Sequence, residues 1–112
     1  MRFYSTKGNT ISVGFKDALF HGLAPDGGLY MPETIPRLGT DYFKSDLRFP
    51  ELATGMIHPF TKDDLTHTQL TDICELAFDF PLRIKELNET DSVLELFHGP
   101  TFAFKDFAAR FM

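Results

Sequence analysis

Ser92-Val93-Leu94-Glu95-Leu96-Phe97-His98-Gly99-Pro100-Thr101-Phe102-Ala103-Phe104-Lys105-Asp106-Phe107 changes character twice within sixteen residues. Ser92 to Phe97 is β-prone and apolar enough for a strand, and Gly99-Pro100 breaks it. Thr101 opens a segment that turns helical by about Lys105. The order is therefore strand, turn, helix, with a lysine at the point where the helix begins.

Upstream, Leu82 to Leu87 alternates in the manner of a strand with one buried face. Thr66 followed by Gln69 matches a capping box. Leu70, Ile73, Ala77 and Phe80, joined by Leu76, place an apolar stripe on a helix over about 67–79. Leu52 to Phe60 reads as a shorter helix ending near His58-Pro59, because the residue before a proline disfavours the helical region. Residues 36–50 carry no clear pattern. Ala24-Pro25-Asp26-Gly27-Gly28 is a tight turn into a short strand, Leu29-Tyr30-Met31, stopped by Pro32. Ser12 stands as the N-cap of a helix over about 12–22, with Phe15, Ala18, Leu19 and Leu23 on one face. Phe3 to Thr6 is a first strand. The fold class is α/β, in the form of a small α+β-like domain of short strands and three to four helices.

Composition narrows the functions. The chain has 112 residues, 13 of them Phe, and net charge −5. That length fits one modest domain, and so many bulky apolar rings argue for a packed core over disorder. Some of those rings are also candidates to face a partner surface. Acidic and basic residues are interleaved with no basic stripe, which argues against nucleic acid or an anionic membrane as partner. No apolar run approaches the roughly 20 residues of a membrane span, and no signal-peptide pattern opens the chain. A cytoplasmic, reduced setting is expected. The single cysteine, Cys74, falls in a helical pattern and reads as a buried, inert thiol. His21, His58 and His67 lack metal-ligand spacing, so no metal is assigned.

Lys105 is the residue that invites chemistry. Phe102, Ala103, Phe104, Phe107, Ala108 and Ala109 flank it. An apolar setting disfavours the charged form of an amine and frees it to attack a carbonyl. The residues alone leave two readings open, a nucleophilic lysine or a solvated surface charge. Asp106, its neighbour, is expected to do structural work, because adjacent residues on a helix point apart. For His98 the alternatives are a general base, since histidines titrate near neutrality, and a hydrogen-bonded structural residue at a strand end.

Leu94 to Phe107 resembles the signature around the cofactor-bearing lysine of the threonine synthase family. Tyr4-Ser5-Thr6-Lys7-Gly8, Phe15-Lys16-Asp17-Ala18 and Gly22 to Pro32 resemble the N-terminal domain that precedes the catalytic fold there. The Pro-Thr-x-x-Phe-Lys-Asp core recurs loosely in related pyridoxal-phosphate lyases, while Asp26-Gly27-Gly28-Leu29-Tyr30 narrows the resemblance.

The resemblance implies a fold-type II pyridoxal-phosphate enzyme that converts O-phospho-L-homoserine and water to L-threonine and phosphate. It implies an N-terminal domain over residues 1–95, with the first strand-turn-helix of the catalytic domain over 96–112. Lys105 matches the lysine that holds the cofactor and carries protons. Thr101 is offered two roles, a hydroxyl towards cofactor or substrate, or a cap for the new helix. Phe104 is likewise placed near the cofactor or in plain core packing. The anchors for the cofactor phosphate and ring are expected beyond position 112. With Phe107, Phe111 and Met112 read as unpartnered, the chain is expected to be the inactive N-terminal part of that enzyme. Two alternatives stand beside this one: a threonine-synthase-like phospho-lyase making a 2-oxo acid, and a stand-alone interaction module. Oligomeric state is not legible.

Overall fold

The protein is described by a computed structural model covering residues 1–44 and 46–112. Its elements, in order, are β1 (Phe3–Ser5), α1 (Phe15–His21), β2 (Tyr30–Pro32), a 3-10 turn (Tyr42–Lys44), α2 (Phe49–Thr61), α3 (His67–Ala77), β3 (Arg83–Glu86), β4 (Ser92–Glu95) and α4 (Asp106–Phe111). Among the described residues these make four α-helices and two separate two-stranded antiparallel sheets. The expected class, a small mixed domain of short strands and a few helices, is the one observed.

The core lies where α2, α3 and α4 meet. Ala53, Leu70, Cys74, Ala77 and Phe78 are buried there, with Phe49, Ile57, Leu65, Phe80, Phe107 and Phe111 packed around them. Aromatic rings hold α4 in place: Phe107 meets Phe49, Phe78 and Phe80, and Phe111 stacks on Phe78 at 6.1 Å. Two of the three C-terminal side chains read as unpartnered are therefore core residues, and only Met112, 83 % exposed, fits that description. The aromatic partners lie far back in sequence, beyond the reach of a local pattern. Arg110 adds hydrogen bonds to the carbonyls of Ala77 and Leu76 and to Asp79.

Helix α3 starts as its capping box demands. The Gln69 amide donates to Thr66 Oγ1 at 3.3 Å, and the Thr66 amide donates to Gln69 Oε1 at 2.9 Å. Cys74 is buried and free, whereas Leu76, which the pattern joined to the apolar stripe, is 74 % exposed.

Two helix boundaries differ from expectation. Ser12 does not cap α1; Gly14 takes the N-cap position and has no side-chain bond of its own. Residues 12 and 13 are occupied otherwise, since the Ser12 carbonyl accepts from Arg2 and Val13 bridges to Phe3. The acceptor that α1 needs comes from the α2–α3 connection, where Asp64 Oδ2 takes the Lys16 amide at 3.3 Å. Helix α2 is longer than expected, beginning at Phe49 and running through Pro59 to Thr61. Pro50 in its first turn sacrifices no bond. Pro59 does forfeit one, at a cost of roughly 3 kcal/mol in an isolated helix. Burial of Ala53, Thr54 and Thr61 on the same helix offsets that loss and carries the helix past the proline. At Gly55 the Tyr42 hydroxyl lies where a Cβ would fall, within reach of the Leu52 carbonyl at 2.8 Å.

The hairpin of β3 and β4 pairs Arg83 with Glu95 and Glu86 with Ser92. Asn88 Oδ1 closes its turn by accepting the amides of Thr90 and Asp91, both at 2.9 Å. Every residue of β3 is exposed, so the alternation there marks no buried face within this chain. The hairpin gains no covering layer among the described residues. The radius of gyration, 16.4 Å, accordingly exceeds the roughly 13 Å of a compact domain this long.

Candidate functional site

After β4 the chain turns at Gly99, and everything that positions Lys105 follows from that turn. Glu95 and His98 pair first, with Oε2 and Nε2 2.6 Å apart and both side chains largely buried. The Phe97 and His98 rings lie 4.6 Å apart. His98 is thus hydrogen-bonded at the strand end.

Gly99 is buried against Asp106. A Cβ at position 99 would fall 2.5 Å from Asp106 Oδ2 and 2.7 Å from its Cβ, so no larger residue fits. The Phe102 amide donates to the Gly99 carbonyl at 3.0 Å, closing the turn. Phe102 itself has φ +56°, the one non-glycine residue with positive φ among those described. A bulky aromatic in the left-handed region costs about 1–2 kcal/mol, which surrounding structure must supply.

Asp106 supplies much of it. Its carboxylate, on a residue 4 % exposed, accepts the Thr101 amide at 2.8 Å and the Thr101 hydroxyl at 2.5 Å. The hydroxyl bond, more than any other interaction, holds the Asp106 carboxyl below its ordinary range. Thr101 does not cap α4: the helix has no side-chain cap bond, and the Thr101 hydroxyl proton goes to Asp106. The structural work expected of Asp106 is real, and it is directed back to the turn before the lysine.

Lys105 occupies the N-cap position of α4 and is exposed. No hydrogen bond or ion pair among the described residues engages its amine. Phe102 and Phe104 beside it are 80 % and 74 % exposed. The apolar enclosure is therefore not formed among the described residues: at the turn these rings are exposed with the lysine, while Asp106 is buried against the turn and Phe107 packs on the core. Phe104 joins no core cluster among the described residues.

These residues suit an aldehyde-bearing cofactor in one respect, an exposed primary amine that follows two exposed aromatic residues in the chain. They provide no phosphate cradle. The only glycine doublet, Gly27-Gly28, is already filled, because Asp26 Oδ1 accepts the Gly28 amide at 2.9 Å and the Ser5 hydroxyl at 2.6 Å. Among the described residues no group of three or more His, Cys, Asp or Glu could hold a metal. No helix among them is long and apolar enough to cross a membrane.

Sequence reasoning passed over the Ser5–Asp26 pair. Ser5 is 1 % exposed, and its hydroxyl ties β1 to the turn that feeds β2. Lys7 Nζ and the Asn9 amide complete the lock on Asp26, by its carbonyl and its Oδ2. The signal lay in the Asp-Gly-Gly block, which reads as a turn and as part of the resemblance but names no partner for Asp26.

Comparison with known proteins places these features. A family model described as threonine synthase N terminus matches residues 2–78. The threonine synthase of Pseudomonas aeruginosa is 40% identical over 119 aligned residues, covering 100% of this chain and 25% of that protein. Threonine synthase-like 2 of Homo sapiens is also 40% identical, over 95% of this chain and 24% of its own length. Among solved structures, PLP-bound threonine synthase from Brucella melitensis superposes with a TM-score of 0.91 at 34% identity, covering 100% of this chain and 26% of that one. The Escherichia coli threonine synthase follows at 0.90 and 32%, over 99% of this chain and 26% of its own. The chain belongs to the threonine synthase family. It spans about a quarter of the length of the relatives it matches.

Proposed function

We propose that this chain supplies the lysine-bearing first quarter of a pyridoxal-phosphate enzyme that converts O-phospho-L-homoserine and water to L-threonine and phosphate. The observation that carries this reading is the free, exposed Lys105 amine on a fixed turn, within a chain that matches threonine synthases along its whole length. Bound pyridoxal phosphate would supply an electron sink for cleavage next to the substrate amino group. Lys105 would anchor the cofactor covalently and, when displaced by substrate, carry protons between the substrate carbons. Phe104 would present its exposed ring as an apolar wall beside the amine. In this reading residues 1–95 form a supporting domain and 96–112 open the catalytic one, with the phosphate anchors elsewhere in the whole protein.

A phospho-lyase that releases a 2-oxo acid is the second reading. Its support is that a relative named threonine synthase-like 2 is as similar to this chain, at 40% identity, as a threonine synthase is. Incubating the full-length protein with O-phospho-L-homoserine and analysing products separates the two. Threonine with equimolar phosphate supports the first, 2-oxobutyrate supports the second, and no phosphate release contradicts both.

A further inference from the structure

Asp106 is almost completely buried, yet it spends no bond on its own helix. Both carboxylate oxygens reach back five residues to Thr101, one to the amide and one to the hydroxyl. Gly99 is packed against the same carboxylate so closely that a methyl group is excluded. The turn thus clamped contains Phe102 in the left-handed region, and Lys105 lies three residues on, at the N-cap of α4. A bulky residue keeps such a conformation only where its surroundings over-determine it.

We propose that Asp106 is a positioning residue: through Thr101 it locks the Gly99–Phe102 turn and so fixes where Lys105 offers its amine to the aldehyde of the cofactor. This rests on the cofactor reading given above. It also gives Thr101 a role distinct from cofactor contact, since its hydroxyl proton is committed to Asp106. In loading, the Lys105 nitrogen bonds to the aldehyde carbon and the carbonyl oxygen leaves as water. The lock lowers the cost of that step by holding the Lys105 backbone in one place beforehand, so that fewer degrees of freedom remain to be fixed. Asp106 is well suited to the role: ionised, it is an acceptor on both oxygens, and Thr101 presents two donors.

The test uses the full-length protein carrying this segment, as parent, D106N, T101V, T101S and the D106N/T101V double variant. Without cofactor, hydrogen exchange at the Thr101 amide should quicken about tenfold or more in D106N, the ordinary scale for losing a bond to a charged group, with Leu70 and Cys74 unchanged. With pyridoxal phosphate, covalent loading is read as cofactor fixed on Lys105 by borohydride. Loading should slow about tenfold in D106N and in T101V, stay near parental in T101S, and be no slower in the double variant than in the worse single one. Parental loading in D106N, or losses that multiply in the double variant, would overturn the proposal. If the parent never loads at Lys105, the cofactor reading fails by itself. The exchange result then still decides the lock, and an unchanged Thr101 amide in D106N overturns it.

Discussion

At the scale of single residues, two glycines and two aspartates do comparable jobs in different places. Gly28 lies so close to Ser5 that an added Cβ would fall 2.1 Å from its hydroxyl oxygen, and Asp26 accepts from both. Gly99 stands in the same relation to Asp106. Gly28→Ala should therefore destabilise the protein by about 1–3 kcal/mol in urea unfolding, the usual cost of overpacking. Adding Ser5→Ala removes the obstructing oxygen, so the double variant should lose less than the two single losses summed. Simple additivity would contradict the contact. The sequence marked Gly27-Gly28 as a turn but could not reveal Ser5, because a short polar residue 21 positions from Asp26 carries no periodic signal. The exposure of Lys105 matches the solvated alternative that its residues left open, because neighbours in sequence surround a residue only if the backbone turns them towards it.

Elements were legible in proportion to how locally they are specified. Helix α3 carries its own start in Thr66 and Gln69 and its own apolar stripe, and it forms where the pattern places it. Removing the cap by Thr66→Ala should cost about 1 kcal/mol, read as a lower urea midpoint, while Thr66→Ser should cost far less. Equal losses from the two would show that the methyl group, not the hydroxyl, matters there. Helix α1 misled because its acceptor comes from Asp64, on a different segment. Helix α2 misled because packing carries it through Pro59 against local preference. The strands β3 and β4 pair with each other, but the sheet face implied by their alternation is exposed throughout β3. In each case the deciding partner was remote in sequence.

At the scale of the whole molecule, three helices and a cluster of Phe side chains make one core, and the turn bearing Lys105 is attached to it through Asp106 and Phe107. Stability should therefore respond to acid. Hydrogen bonds hold Asp26, Glu51 and Asp106 below the ordinary carboxylate range, chiefly from the Ser5 hydroxyl, the Arg48 amide and the Thr101 hydroxyl respectively. The unfolded chain then binds protons that the folded one refuses. Their contribution is complete above the ordinary carboxylate value of about 4 and is lost as pH falls through the lower folded values. The urea midpoint should fall across that acidic range and change little from these groups above it. A midpoint that rises on acidification would contradict the assignment.

In the proposed function, Lys105 is the residue that takes the cofactor. The full-length protein, equilibrated with pyridoxal phosphate, reduced with borohydride and digested, tests it directly by mass analysis of the peptides. The phosphopyridoxyl group should be found on the peptide containing Lys105, and Lys105→Ala should lose both that label and phosphate release from O-phospho-L-homoserine. A label on another lysine, or turnover that survives in Lys105→Ala, would contradict the account.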